Sequence, residues 1–159
     1  AAAQDAAQKL GFQCRMLTDC LDCEAREAGR FLASIARSHQ QTERPLAFFA
    51  GGETVVHLTG QGLGGRNQEL ALAAAPGLRG TQNTAVCSFG SDGTDGPTDA
   101  AGGFVDQSSD TALRAAGLDV PQVLAENDAY HALQKIGGLL MTGPTGTNVN
   151  DLAMVLIWR

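Results

Sequence analysis

Three segments of the sequence combine glycine with polar side chains at spacings that suit the binding of small charged ligands. The first segment, residues 60–69, contains G-x-G-x-x-G followed directly by an arginine. The second, residues 91–99, carries three aspartates separated by small residues. The third, residues 142–151, is rich in threonine, asparagine and glycine. Segments of this kind bring backbone amides, hydroxyls and carboxylates around an anion or a cation.

The first segment has three interpretations. G-x-G-x-x-G between a strand and a helix is typical of a dinucleotide site, but no acidic residue follows about 20 residues later, where the ribose contact belongs. The second interpretation is an anion cradle, in which the amides of Gly62, Gly64 and Gly65 and the start of a helix face a phosphate or carboxylate. Arg66 would then clamp the anion with its planar fork. The third is an ordinary glycine turn with Arg66 in solvent.

The second and third segments each allow one chemical and one structural interpretation. Asp92, Asp95 and Asp99 offer hard oxygen ligands that suit Mg²⁺, or could flank a hydroxyl nucleophile. The same letters also suit a series of turns, because Asp-Gly is a common turn dipeptide. Residues 142–151 could hydrogen-bond to oxyanions, although they lack the lysine of a P-loop. They could equally be a tight polar connection between two strands.

Apolar strands and amphipathic helices alternate around these segments and predict an α/β protein of one domain over residues 1–159. We expect a three-layer α/β/α fold with a mixed, mostly parallel sheet, in which the three segments gather beyond the carboxyl ends of the strands. A helix cap is expected at Asp19 or Asp22. The predicted helices cover residues 1–10, 25–36, 66–75, 110–116 and 120–136, where Asn127 or Asp128 could start a separate helix. The predicted strands cover residues 12–17, 45–50, 53–58, 84–89, 139–141 and 152–158.

Composition excludes several classes of partner. The chain has 159 residues and a net charge of −6, and no cluster of Lys and Arg follows one face, so we expect no nucleic acid partner. No run reaches the roughly 18 to 20 apolar residues that a membrane span needs. Cys20 and Cys23 form a C-x-x-C without a second metal-binding pair, which favours reduced thiols in a cytoplasmic protein.

Taken in order, the polar segments resemble the MOFRL domain, the C-terminal domain of class II glycerate kinases. The letters that carry the resemblance are GGET at 51–54, GQGLGGRNQELAL at 60–72, SDGTDGPTDAAG at 91–102 and TGPTGTNVND at 142–151. EARE at 24–27 and the pair Asn127–Asp128 also resemble family elements. The resemblance covers nearly the whole chain.

The resemblance implies ATP-dependent phosphorylation of D-glycerate at its 2-hydroxyl, with Mg²⁺, in a cleft between this domain and an N-terminal Rossmann-like domain that supplies a lysine. The chain would then be a C-terminal fragment that is inactive alone; its oligomeric state stays open, with a homodimer among the options. By position, Arg66 resembles the family's cleft arginine, and Asp92 and Asp95 resemble its acidic loop, where one would bind Mg²⁺ or accept the hydroxyl proton. The substrate- and phosphate-binding candidates are Glu53, Gly62, Gly64, Gly65, Asn67, Thr145, Thr147, Asn148 and Asp151.

Two other functions remain open at this stage. An NAD(P)H-dependent hydroxypyruvate reductase is suggested by the G-x-G-x-x-G letters and by a name often given to the family. A ligand-binding module without catalysis is the other, since half of a cleft can bind a ligand weakly and turn over nothing.

Overall fold

Helices and strands alternate along the chain and form a six-stranded mixed sheet with helices on both faces. The computed structural model describes residues 2–159, so Ala1 of the predicted first helix lies outside the described residues. The elements in chain order are α1 Ala2–Lys9, β1 Gln13–Leu21, α2 Ala25–Ser38, β2 Leu46–Gly52, α3 Arg66–Leu78, β3 Thr84–Gly90, β4 Gly102–Asp106, α4 Ser109–Ala115, α5 Val120–Ala125, α6 Ala129–Lys135, β5 Leu139–Leu140 and β6 Asp151–Ile157.

The strand order β1-β2-β6-β3-β4-β5 confirms the α/β class, but the expectation of a mostly parallel sheet is wrong. Only β1 and β2 pair in parallel, and the other neighbouring strands run antiparallel. Parallel neighbours need a long crossover connection. Here the loop 91–101 reverses the direction of the chain, so β4 runs antiparallel to β3 beside it. The last strand, β6, enters between β2 and β3 in the opposite direction.

The main core lies between one face of the sheet and helices α2 to α6. Helix α2 buries a stripe at helical spacing, including Ala25, Ala28, Leu32 and Ala36. Helix α3 is buried along nearly its whole length, and it approaches α2 so closely that a Cβ on Gly29 would collide with the carbonyl oxygen of Leu70. This tight packing of the two helices fixes the position of the start of α3.

The opposite face of the sheet is covered, within residues 2–159, by α1 alone. Ala7 of this helix packs against Ala47 and Phe49 of β2. The third layer that the sequence predicts is therefore confined to the β1–β2 end of the sheet. None of the described helices is long and apolar enough to cross a membrane.

The predicted strand at residues 53–58 does not form. Only Val55 makes an isolated bridge, to Glu24, and Gly51–Gly52 form no hairpin turn because β2 continues through both glycines. Since β2 pairs with β1 on one side and with β6 on the other, neither of its edges is free for a hairpin partner. Residues 53–58 are left as an extended segment that crosses the end of the sheet.

Other boundaries differ for local reasons. Helix α3 continues through Pro76 to Leu78, although Pro76 has no N–H to donate to the carbonyl oxygen of Leu72. Within residues 120–136, the separate helix that the sequence allowed from Asn127 or Asp128 does form, because α5 and α6 are separated by residues 126–128. Asp19 lies within β1 and Asp22 follows it, so the cap residue of α2 is Glu24 instead.

Strand β4 was not predicted, because its first letters, Gly102–Gly103, are typical of a loop. The structure explains this pair by close packing: a Cβ on Gly102 would strike the carbonyl oxygen of Ser88 in the neighbouring strand. The glycine therefore allows two strands to approach each other, and it does not mark a turn.

Candidate functional site

Arg66, the first residue of α3, lies at the edge of the sheet where β2 and β3 end and β6 begins. Its guanidinium donates through Nε and Nη2 to the carboxylate of Asp151, with Nη2 3.1 Å from Oδ1. Nη2 is also 2.9 Å from Oε1 of Glu53, which directly follows β2. The structure thus brings together three residues that the sequence analysis selected from three different segments.

Two features make Arg66 suitable for binding an anion. The hydrogen bonds that Arg66 donates to Asp151, together with the negative charges of Asp151 and Glu53, raise the pKa of the guanidinium despite partial burial, so this side chain stays a cation. The side chain is 36% exposed, whereas Asp151 beneath it is only 11% exposed. Asp151 and Glu53 therefore engage Nε and Nη2 of the guanidinium, which leaves Nη1 for a ligand.

Asp92 lies near this cluster, at the end of β3. Its carboxylate and that of Asp151 both face Gly90, each close to the position that a Cβ on that glycine would occupy. Oδ1 of Asp92 accepts a hydrogen bond from the amide of Thr94 at 3.0 Å. This bond closes the side-chain turn that the Asp-Gly dipeptide predicts. Asp92 is half-buried, and its carboxylate lies near that of Asp151.

Asp95 has a different environment from Asp92, because its carboxylate is buried against the start of α3. Oδ1 accepts hydrogen bonds from the amide and the side-chain nitrogen of Asn67, at 3.1 and 3.2 Å, and Oδ2 accepts from the amide of Gln68 at 2.8 Å. Burial raises the pKa of Asp95, partly offset by these bonds. The amides of Asn67 and Gln68 at the start of α3 are therefore bonded to Asp95 and do not face a phosphate.

The side of the glycine-rich loop on which Cβ atoms would project is packed against other residues. A Cβ on Gly60 or Gly62 would overlap with the backbone of residues 126–128, and one on Gly65 would overlap with the Asp95 carboxylate. The amide of Gly62 donates to the carbonyl oxygen of Glu126 at 2.7 Å. Since residues 53–58 also form no strand, these glycines do not form the strand–loop–helix unit of a dinucleotide site.

Asn127 holds this loop in place, and the sequence analysis did not select it as a site residue. Its Oδ1 accepts from the amides of Thr59 and Gly60, at 2.7 and 2.9 Å. Its Nδ2 donates to the carbonyl oxygen of His57 and to Oε2 of Glu69, both at 3.1 Å. Asn127 adopts a positive φ of 54° in the turn between α5 and α6. In the sequence, the only indication of Asn127 is the pair Asn127–Asp128, which resembles a family element.

The third predicted segment folds over the second. The hydroxyls of Thr145 and Thr147 donate to the carbonyl oxygen of Ser91, the latter at 3.2 Å. The amides of Val149 and Asn150 donate to the Ser91 hydroxyl at 2.8 and 3.1 Å. Both predicted threonines therefore use their hydroxyls within the protein. Asn148 is exposed on the same loop.

A cleft of about 540 Å³ opens beside Arg66, between the extended segment 54–58 and the glycine-rich loop. Across residues 2–159, no three or more His, Cys, Asp or Glu side chains are placed to hold a metal ion. The site thus provides an oriented cation, nearby carboxylates and a cleft, without a metal centre formed by the described residues.

Comparison with known proteins gives a consistent result. The profile of the MOFRL family matches residues 46–151. A D-glycerate 2-kinase from Thermotoga maritima is 57% identical over 98% of this chain, which spans 38% of that protein. A glycerate 2-kinase from Pyrococcus horikoshii is 46% identical over 95% of the chain, which spans 35% of it. A crystal structure of a glycerate kinase from Thermotoga maritima superposes with a TM-score of 0.93 over 98% of the chain and 38% of that structure's chain.

Proposed function

The chain belongs to the MOFRL family, and from this premise we propose that it is part of a glycerate 2-kinase, which transfers the γ-phosphoryl group of ATP to the 2-hydroxyl of D-glycerate. The observation that carries the proposal is the orientation of Arg66 by Asp151 and Glu53 at the edge of the sheet. Phosphoryl transfer depends mainly on positioning and on neutralising charge. An oriented, partly exposed guanidinium supports that chemistry.

The chain spans 38% of the length of its Thermotoga relative, so we propose that the remaining part completes the active site. In this proposal an N-terminal Rossmann-like domain supplies a lysine and the opposite wall of the cleft. Residues 1–159 form the C-terminal domain. D-glycerate and ATP bind between the two domains, and the chain alone is inactive.

Within this chain, Arg66 contacts either the transferring phosphoryl group or the glycerate carboxylate, both of which are anions that a planar fork can bind. Asp92 is the carboxylate that we propose to accept the proton of the 2-hydroxyl, because both oxygens of Asp95 are engaged by α3. Asp151 and Glu53 orient Arg66. Asn67 acts indirectly, through its hydrogen bonds to Asp95 and Ser88.

Mg²⁺ normally accompanies ATP in such reactions. Residues 2–159 hold no cluster of three or more His, Cys, Asp or Glu side chains for a metal, and the carboxylate of Asp95 is bonded to α3. We therefore assign no step to a metal bound by this chain.

The test is a kinase assay with a full-length protein that contains this chain, in which ADP release is measured with D-glycerate and ATP. Replacing Arg66 with Ala is expected to lower kcat/KM by about 10³-fold or more, because one cation that stabilises a transferring phosphoryl group is worth roughly that factor. Arg30, which is exposed and paired only with Glu27, provides the control variant Arg30→Ala. The Arg30 variant should keep wild-type turnover.

Two results would contradict the proposal. One is wild-type turnover in the Arg66→Ala protein. The other is oxidation of NADH with hydroxypyruvate in the absence of ATP turnover, which would instead establish a reductase. The phosphorylated carbon of the product, identified by NMR, tests the choice of the 2-hydroxyl.

A further inference from the structure

The cleft beside Arg66 has a volume of about 540 Å³, which lies within the range of roughly 300 to 1,000 Å³ that is typical of pockets for organic ligands. One wall is the extended segment 54–58, and the other is the glycine-rich loop with residues 96 and 97. Arg66 lines the same cleft. A ligand in the cleft would therefore have a permanent cation at one of its ends.

The walls of the cleft present apolar side chains to solvent. Val55 is 51% exposed and Leu58 is 81% exposed, and the exposed Pro97 lies across from them. The glycines of the loop add only backbone to the other wall, because the side on which a Cβ would project is filled by residues 126–129 and Asp95. Exposed apolar side chains that surround one cavity indicate a ligand with apolar surface.

Two of the polar side chains that line the cleft, those of Asn127 and Glu69, already have partners within the protein. Asn127 bonds to the glycine-rich loop and to Glu69, and Glu69 forms an ion pair with Arg26 at 2.9 Å. Neither side chain needs a ligand to satisfy its hydrogen bonds. A ligand would thus meet apolar side chains, the hydroxyl of Thr54 and, at one end, the cation of Arg66.

Of the two substrates of the proposed reaction, only one combines an apolar part with a negatively charged end. Glycerate has three carbon atoms and each of them bears oxygen, so it offers no apolar surface to Val55 and Leu58. A nucleoside triphosphate has a flat aromatic base at one end and a polyanion at the other. We propose that this cleft binds the nucleoside part of ATP, with the phosphates directed towards Arg66. This inference rests on the proposed function.

The test uses ADP as the probe and isothermal titration calorimetry on the full-length protein. The variant Val55→Trp fills the cleft with a side chain at a position that is half exposed, so the fold tolerates it. Binding of ADP is expected to weaken by at least about tenfold, because a filled pocket excludes the base. Leu10 directly follows α1, is 77% exposed and does not line the cleft, so Leu10→Trp is the matched control with unchanged ADP affinity.

A second variant, Leu58→Asp, adds a negative charge to the exposed wall without filling the cleft, and Leu10→Asp is its control. It should also weaken ADP binding. In steady-state assays both cleft variants should raise the KM for ATP, while the KM for glycerate stays within about twofold of wild type, since only the nucleotide occupies the cleft.

Three outcomes would overturn the inference: unchanged ADP affinity in both cleft variants, a rise in the KM for glycerate alone, or no ADP binding by the wild-type protein. These results differ from a failure of the proposed function, which would appear as wild-type protein that does not phosphorylate glycerate. Such a protein could still bind ADP and lose that binding on Val55→Trp. If the Val55→Trp protein phosphorylates glycerate with an unchanged KM for ATP, that result contradicts the assignment of the cleft and leaves the proposed function intact.

Discussion

At the level of single residues, the aspartates and the arginine of the site have separate tasks that their neighbours determine. Asp151 is nearly buried and orients Arg66, whereas Asp92 is half-buried and lies near Asp151. Asp95 is 3% exposed and bonds to the start of α3. Asp92 and Asp95 are close in the sequence, yet they differ in their hydrogen-bond partners and in their exposure. These differences decide what each aspartate can do.

The first residue-level prediction concerns Asp95. The substitution Asp95→Ala leaves the amides of Asn67 and Gln68 without an acceptor at a buried helix start, so the free energy of unfolding should fall by about 2 to 3 kcal/mol. Urea denaturation without Mg²⁺ measures this change. Asp99→Ala, at an exposed aspartate of the same loop, should change stability by less than about 0.5 kcal/mol. Unchanged stability of Asp95→Ala would show that the carboxylate is not a structural cap.

The pH dependence of this effect has a defined sign. Because burial raises the pKa of Asp95 above its ordinary value of 3.8, the folded state holds this proton more tightly than the unfolded state does. Its contribution to stability is therefore full below pH 3.8 and declines as pH rises through the raised pKa. The stability difference between wild type and Asp95→Ala should be larger at acidic pH than at neutral pH, and the reverse trend would contradict the assignment.

At the level of elements, the site depends on the turn between α5 and α6, which holds the glycine-rich loop against α3. The amide of Leu63 donates to Oδ1 of Asp128 at 2.9 Å, and the amide of Tyr130 donates back to the carbonyl oxygen of Leu63 at 2.9 Å. Together with the Asn127 bonds, these contacts fix the loop at both its ends. Glycine is needed in the loop because this turn lies where a Cβ would otherwise project.

The element-level prediction is that Asn127→Ala releases this loop. The substitution removes the acceptor for the amides of Thr59 and Gly60 and the donor to Glu69, so the free energy of unfolding should fall by about 2 to 3 kcal/mol. Asn148→Ala, at an exposed asparagine, is the matched control. Hydrogen exchange should show faster exchange at residues 59–63 in the Asn127 variant. Unchanged protection there would mean that other contacts hold the loop.

At the level of the whole molecule, the sheet exposes more of one face than of the other. Helices α2 to α6 cover one face, while α1 alone covers the opposite one within the described residues. Phe104 of β4 lies away from α1 and remains 37% exposed. The site is also open, since the cleft and Arg66 lie at the edge of the domain. These features agree with a domain that spans 38% of the length of its Thermotoga relative.

The whole-molecule prediction is that this chain alone releases no ADP from ATP in the presence of D-glycerate, whereas a full-length protein that contains it does. The reason is that residues 2–159 supply one wall of the proposed active site. Circular dichroism of the isolated chain should first establish that it is folded. Steady turnover by the folded chain would refute the two-domain proposal.

The sequence by itself determined the α/β class, most helix and strand positions, and the family, because buried strands and amphipathic helices have distinct periodicities and the polar segments occur in a specific order. It also selected Glu53, Arg66 and Asp151, which meet in space. Only the tertiary structure decided the strand directions, since pairing partners depend on connections that periodicity does not encode. The tertiary structure also separated Asp95 from Asp92 and revealed Asn127, because burial and hydrogen-bond partners arise from residues that are distant in sequence.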